Sequence, residues 1–241
     1  MLGYTHVTMG AAAGVATLPF LGAQSTELQV GWVAAFAGSA LLADLDHPGA
    51  MASRMWGPVS GLLSQLISGL SGGHRWGTHD VVLAGLIAGG LGWAASWSPA
   101  LATAALAVCV GLALRGLIGL GGGLVLGLVN LAASWWAAIQ LVGSPYAGAV
   151  LELLPFILVG GILVHAAGDL LTPEGIPVPV LWLRDRAARM SIPVVRTGSL
   201  LEQTVVAPAF TLLFFGLAWF QLGSPDLAEL APLLRSLIPI L

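Results

Sequence analysis

A chain of 241 residues that is 57% hydrophobic and only 8% charged cannot cover itself with a water-facing surface, because soluble domains carry about 25% charged residues. The bilayer is therefore its main solvent. Its eight basic residues are all arginine and its net charge is −3, which excludes an extended basic surface for nucleic acid.

The first segment, "MLGYTHVTMGAAAGVATLPFLG", has the apolar run of a signal peptide. It lacks a positive n-region and carries His6 at the start of the run, so a retained first helix is expected. A spanning helix needs about 20 mainly apolar residues. Seven segments qualify, at roughly 6–22, 29–43, 79–97, 100–119, 122–142, 150–171 and 204–222, the second being short. The fold class expected is an all-α polytopic membrane bundle, with residues 1–241 forming one domain. Glycines 85, 89 and 92 recur at helical spacing and predict close helix packing. Cys109 lies within "LATAALAVCVGLAL" and predicts a small buried core residue. "GLGGG" at 119–123 reads as a turn, since no strand precedes it to make a phosphate loop. Between the second and third spans, "MWGPVSGLLSQLISGL" has the pattern of an amphipathic helix lying in the interface, as does the tail "SPDLAELAPLLRSLIPIL".

Counting crossings places loops 44–78 and 172–203 on the same side as the N-terminus. Arg54, Arg75, Arg184, Arg186, Arg189 and Arg196 lie in those two loops, Arg115 ends a helix on that side, and Arg235 alone is opposite. Cytoplasmic loops carry the excess of arginine and lysine, so this side is expected to face the cytoplasm across a plasma (inner) membrane.

The same count brings all five histidines to one face. His6 starts the first helix, Asp44, Asp46 and His47 end the second, His74 and His79 precede the third, and His165 and Asp169 end the sixth. If the second helix runs through "LLADLDH", Asp44 and His47 share a face at i,i+3, and His165 and Asp169 in "HAAGD" share one at i,i+4. Ionisable groups inside a span are costly and mark function. Imidazole suits zinc, manganese and other transition ions better than magnesium, and a catalytic zinc commonly takes three protein ligands and a water. The donors here exceed one such site, so two divalent ions are expected.

Taken in order, the opening "TH", "ADLDHP", "HRWGTH" and "HAAGDLLTPEGIPVPVLW" resemble the YdjM-like membrane-bound metal-dependent hydrolases, over residues 5 to about 202. The family pattern is an early His, then Pro-Asp-x-Asp-His, His-Arg-Gly-x-Thr-His and His-x-x-x-Asp-x-x-Thr-x-x-Gly. The resemblance implies metal ligation by His6, Asp44, His47, His74, His79, His165 and Asp169, with Asp46 a ligand or its supporting partner. It places Arg75, Thr78 and Thr172 near the site and, through "RTGSLLE", nominates Arg196 and Glu202. Ala43 stands in place of the first proline, Trp76 displaces a glycine, and Asp80 stands where serine is common, either adding a carboxylate or capping the third span. The family's remote likeness to zinc-dependent phospholipase C implies hydrolysis.

The function expected is metal-dependent hydrolysis of a phosphoester in a membrane lipid or lipid-linked molecule. Arg75 or Arg196 would hold the phosphate, and Glu202 or Asp46 would take a proton from water. In "HRWGTH", Gly77 is expected to turn the backbone and Thr78 to cap the following helix. Alternatives are a prenyl-diphosphate enzyme using "DLD", a metal-ion transporter and a structural membrane protein. Five histidines disfavour the first, and donors at one face rather than the midplane disfavour the second.

Overall fold

The computed structural model describes residues 1–21 and 25–221. Among them, helices occupy all seven expected segments: α1 Gly3–Ala16, α2 Thr26–Ser39, α4 Val81–Ser96, α5 Pro99–Ile118, α6 Leu124–Val142, α7 Ala147–Leu170 and α8 Ala207–Gln221. An eighth, α3 Pro58–Ser71, lies between α2 and α4. The helical tail expected at 224–241 falls outside the described residues.

Local chemistry sets the helix starts. Ser25 accepts from Leu28 N before α2, Asp80 accepts from Val82 N and Leu83 N before α4, and Ser98 accepts from Leu101 N before α5. Each satisfies an amide that the first turn leaves unpaired. Asp80, rather than Thr78, is thus the cap of α4, because the Thr78 hydroxyl is committed elsewhere. The glycine turn after α5 forms as expected, with Gly119, Gly121 and Gly122 all at positive φ.

The bundle alternates in direction. α1 packs on α2 and α8, α2 on α5 and α7, α4 on α7, and α5 on α6. The approach of α2 to α5 is so close that a Cβ on Gly38 would overlap the Cys109 carbonyl. Cys109 itself is fully buried, as expected for a core position. Gly92 meets Pro155 in the middle of α7, where an added Cβ would lie 2.6 Å from the proline Cα. Gly85 has open space instead and needs no packing explanation.

The expected spans differ in length, and the end of the second needs correction. Four helices, Pro99–Ile118, Leu124–Val142, Ala147–Leu170 and Glu202–Gln221, are long and apolar enough to cross a membrane, and Val81–Ser96 is a shorter apolar helix. α1 and α2 have only 14 residues each, about 21 Å at 1.5 Å per residue. α2 does not run through "LLADLDH": it stops at Ser39, and a separate 3₁₀ turn covers Ala43–Asp46. The tighter turn lets the chain deliver its two aspartates inward and then leave in an extended conformation at His47.

α3 buries Ser60 and Ser64 and exposes Val59, Leu62, Leu66 and Leu70. Ser60 Oγ accepts from Trp56 N at 2.9 Å and donates to the Ser53 carbonyl at 2.9 Å, so the polar stripe faces protein. This is the inverse of a helix on a water-soluble domain, and it suits one whose outer face meets lipid.

At the end of α7 the segment 172–201 folds back. Ile192 N and Val195 N donate to the carbonyls of Leu170 and Leu171, pairing groups that the last helical turn leaves free. Within that segment β1 (Ile176–Pro177) and β2 (Arg189–Met190) form a two-stranded antiparallel ribbon. Gly38→Ala is expected to lower stability by about 1–3 kcal/mol through overpacking against α5. Gly85→Ala should be neutral or gain up to about 1 kcal/mol of helix propensity. Unfolding of both variants in the same detergent checks the contrast.

Candidate metal centre

The alternation of helices brings the start of α1, the turn after α2, the residues before α4 and the end of α7 to one end of the bundle. There the polar side chains converge. His6, His165 and Asp169 form one group of donors within 4.8 Å of one another, and Asp44, His74 and His79 form a second. The groups adjoin: His79 Nε2 lies 3.2 Å from His165 Nε2. Asp44 Oδ1 is 3.8 Å from each of these nitrogens, and Asp169 Oδ2 is 3.6 Å from each. Donors placed about 2.0–2.2 Å from a tetrahedral zinc would be separated by roughly 3.3–3.6 Å.

The other ring nitrogen of each histidine explains which one is free. His165 Nδ1 is 2.7 Å from the Ala40 carbonyl, an acceptor only, so Nδ1 must carry the proton. The Thr78 hydroxyl donates to Asp46 Oδ2 at 2.5 Å. His79 Nδ1, 3.1 Å from the Thr78 oxygen and 3.4 Å from Asp46 Oδ2, therefore donates as well. His74 Nδ1 pairs with Asp46 Oδ1 at 2.8 Å. All three rings thus have Nδ1 engaged and Nε2 free to ligate, and a second partner on Nδ1 is how ligating imidazoles are oriented. His6 stacks on His165 at 3.8 Å between centroids. Both of its ring nitrogens are buried without a hydrogen bond, although Nε2 is 3.2 Å from Asp169 Oδ1. Unpaired buried nitrogens are costly, and a cation among them removes the cost. The donor set and the orphaned nitrogens therefore fit a divalent transition metal.

Asp46 lies outside both donor groups and bonds to the residues around them. It is fully buried and accepts from His74, Thr78 and the Arg75 backbone N–H. Burial would raise its pKa, but the hydrogen bonds it accepts from His74, His79 and Thr78 hold it well below the ordinary carboxylate range.

His47 is exposed and stacks on His74 at 4.5 Å between centroids, outside both donor groups. Glu202 lies fully buried, and both oxygens are engaged: Oε1 accepts from Leu2 N and Thr5 Oγ1, Oε2 from Gly198 N. It ties the start of α8 to the start of α1. Arg196 is exposed, and its guanidinium has no hydrogen-bond or ion-pair partner among the described residues. Thr172 is buried and donates to the Asp169 carbonyl at 2.8 Å. The Met1 amine pairs with Asp169 Oδ1.

In "HRWGTH" the turn falls on Arg75, not Gly77. Arg75 has φ 66°, in the left-handed region, which is strained for a residue with a Cβ. Its Nη1 lies 3.5 Å from Asp169 Oδ2, at the edge of the donor cluster. Gly77 is instead pressed against Ser71, where a Cβ would lie 3.1 Å from the Ser71 carbonyl. Asp80 does not join the cluster: beyond capping α4 it accepts from Val180 N and Trp182 Nε1, each at 2.8 Å. Burial opposes its charge, but these bonds and the cap keep its pKa below the ordinary value. Trp182 packs against Trp76 with ring centroids 5.7 Å apart and planes tilted by 30°, which pins the 172–201 segment over the loop that carries His74 and His79. Sequence reasoning missed this pin and the Ala40 carbonyl. The two tryptophans lie about a hundred residues apart without a shared motif, and a backbone acceptor has no side-chain signature.

A family model described as "YdjM inner membrane protein" matches residues 1–230. No curated protein and no solved structure matches the chain. Asp46→Asn is expected to weaken metal retention about 10–100-fold, because an amide cannot accept from Thr78, His74 and His79 together. His47→Ala should leave it at the wild-type level. Chelator competition followed by elemental analysis checks both.

Proposed function

The chain belongs to the YdjM inner membrane protein family, and on that footing we propose that it is a metal-dependent hydrolase of phosphoesters carried by membrane lipids or lipid-linked molecules. The carrying observation is the meeting of two donor groups across the His79–His165 contact with an arginine at their edge. His6, His165 and Asp169 would hold one divalent ion, and Asp44, His74 and His79 a second, with zinc the best match to the donors. Such ions, when bound, activate water and stabilise charge on the phosphoryl oxygens.

The chain's own residues supply the rest. Arg75 orients the phosphate, its planar guanidinium matching two oxygens at once. Asp46 fixes the tautomers and angles of His74 and His79. Glu202 and Asp46 have their oxygens committed to hydrogen bonds. Asp44, the more accessible carboxylate of the centre at 16% exposed, is therefore assigned as the group that receives the proton from attacking water, through the oxygen it does not give to the ion. The apolar outer row of α3 and the exposed Val180, Leu181 and Leu183 of the 172–201 segment flank the same end of the bundle. That end thus meets lipid around a polar centre, as a substrate with a charged head and an acyl or prenyl tail requires.

Seven crossings with the centre on the cytoplasmic side fit the arginine distribution. Single cysteines at Arg54 and Arg184, on a Cys109→Ala background, are expected to label from the cytoplasmic side only. Labelling of the two from opposite sides would break the topology.

Purified, metal-loaded protein is expected to release phosphate or a phosphorylated head group from a panel of lipid and lipid-linked phosphoesters. His79→Ala should lower that turnover at least about 10³-fold while the protein still inserts, because one imidazole serves the junction of both donor groups. A fully metal-loaded protein inert toward the whole panel would contradict hydrolysis.

A further inference from the structure

Arg189 belongs to none of the motifs that nominated the metal centre, yet it is built into its edge. It lies on β2, opposite Pro177 of β1. Its guanidinium donates through Nε to the Glu174 carbonyl at 2.6 Å, through Nη2 to the Gly175 carbonyl at 2.9 Å, and through Nη1 to the Arg75 carbonyl at 3.4 Å. Arg75 Nη1 reaches the same Gly175 carbonyl at 3.5 Å. Two guanidinium groups therefore share one acceptor. Trp76 lies beneath Arg189, its ring centroid 5.2 Å from Cζ. Among the described residues Arg189 has no carboxylate within ion-pair distance.

Arg75 has one carboxylate, Asp169 at 3.5 Å, and Arg189 has none within ion-pair distance, so the two neighbouring guanidinium charges exceed the acid that faces them and a bound anion would relieve the excess. The backbone tells the same story. Arg75 is strained at φ 66° and is held there from both sides, by Asp46 on its N–H and by Arg189 on its carbonyl. Strain that is over-determined by its surroundings points to function. A lysine in place of Arg189 could not reach three carbonyls from one planar fork.

We propose that Arg75 and Arg189 form a two-guanidinium receptor for the dianionic phosphoryl group of a terminal phosphomonoester, with Arg75 touching the anion and Arg189 as the positioning residue that sets it. The proposal rests on the hydrolase reading and narrows its substrate class. Asp44, Asp46 and Asp169 contribute three negative charges. Two divalent ions, when bound, would with the two arginines and the Met1 amine exceed them by four positive charges. A phosphate dianion and a hydroxide would cancel three of these, whereas a monoanionic diester and a hydroxide would cancel only two. The paired arginines thus select a terminal phosphate over an internal diester linkage.

The test is calorimetric titration of the detergent-solubilised, metal-loaded chain with two probes, inorganic phosphate and dimethyl phosphate. The wild type is expected to bind inorganic phosphate at least about tenfold more tightly, a difference of about 1.4 kcal/mol. Arg189→Gln should lose most of that preference at unchanged metal content. Arg189→Lys should recover only part of it. Adding Arg75→Gln to Arg189→Gln should cost little more, because the two act as a unit. Equal affinity of the wild type for both probes, or an unchanged preference in Arg189→Gln, would overturn the receptor. If Arg189→Gln fails to fold, Arg189→Lys carries the test, and a full wild-type preference in it would likewise overturn the proposal. Selective phosphate binding without turnover of any phosphoester would retain the receptor and remove the hydrolase reading. Turnover with an unchanged probe preference in Arg189→Gln would do the reverse.

Discussion

Two imidazole nitrogens, Nε2 of His79 and Nε2 of His165, face each other at 3.2 Å inside an apolar bundle. Each ring has its proton on the far nitrogen, held there by Ala40 O in one case and by Thr78 and Asp46 in the other. Two lone pairs aimed at one another are repulsive, and no water-like dielectric dilutes that repulsion. The carboxylates of Asp44 and Asp169 close around the same point and add negative charge. A bound cation would relieve that repulsion. The constraint on the fold is therefore to hold these donors together, and the architecture follows from it.

Several features of the bundle otherwise look like defects. α2 stops short so that a tighter turn can aim Asp44 and Asp46 inward. Glu202 is buried and would be costly alone, but it pairs with the free amides at the start of α1 and thereby fixes His6. Small residues allow the close approach of the helices that lead to the donor residues: Gly161 of α7 lies against Ser39 of α2, four residues before His165. A larger side chain there would push apart the two elements whose spacing sets the centre.

Much of this was legible in the sequence, for physical reasons. Apolar segments stand out in the sequence, so helices could be counted, and the count brought His6, Asp44, His74, His79, His165 and Asp169 to one end. The i,i+4 spacing of His165 and Asp169 survives because α7 runs unbroken through both. The i,i+3 reading of Asp44 and His47 rested on a helix that ends at Ser39, and His47 stands outside the donor groups. Turn geometry was also hidden. In "HRWGTH" glycine was the natural residue for a left-handed turn, yet tertiary bonds from Asp46 and Arg189 place that conformation on Arg75. Arg189, Trp182 and Ala40 act through contacts between segments about a hundred residues apart, which no local pattern encodes.

The central claim is that the cluster is a paired transition-metal centre built on imidazole nitrogen. X-ray absorption at the metal edge of protein purified in mild detergent, with the metal-to-protein ratio measured on the same sample, tests it most directly. The expected result is about two ions per chain with nitrogen and oxygen neighbours near 2.0–2.2 Å, including imidazole. A chain that folds and inserts but retains no transition metal after exposure to excess zinc or manganese would contradict the claim.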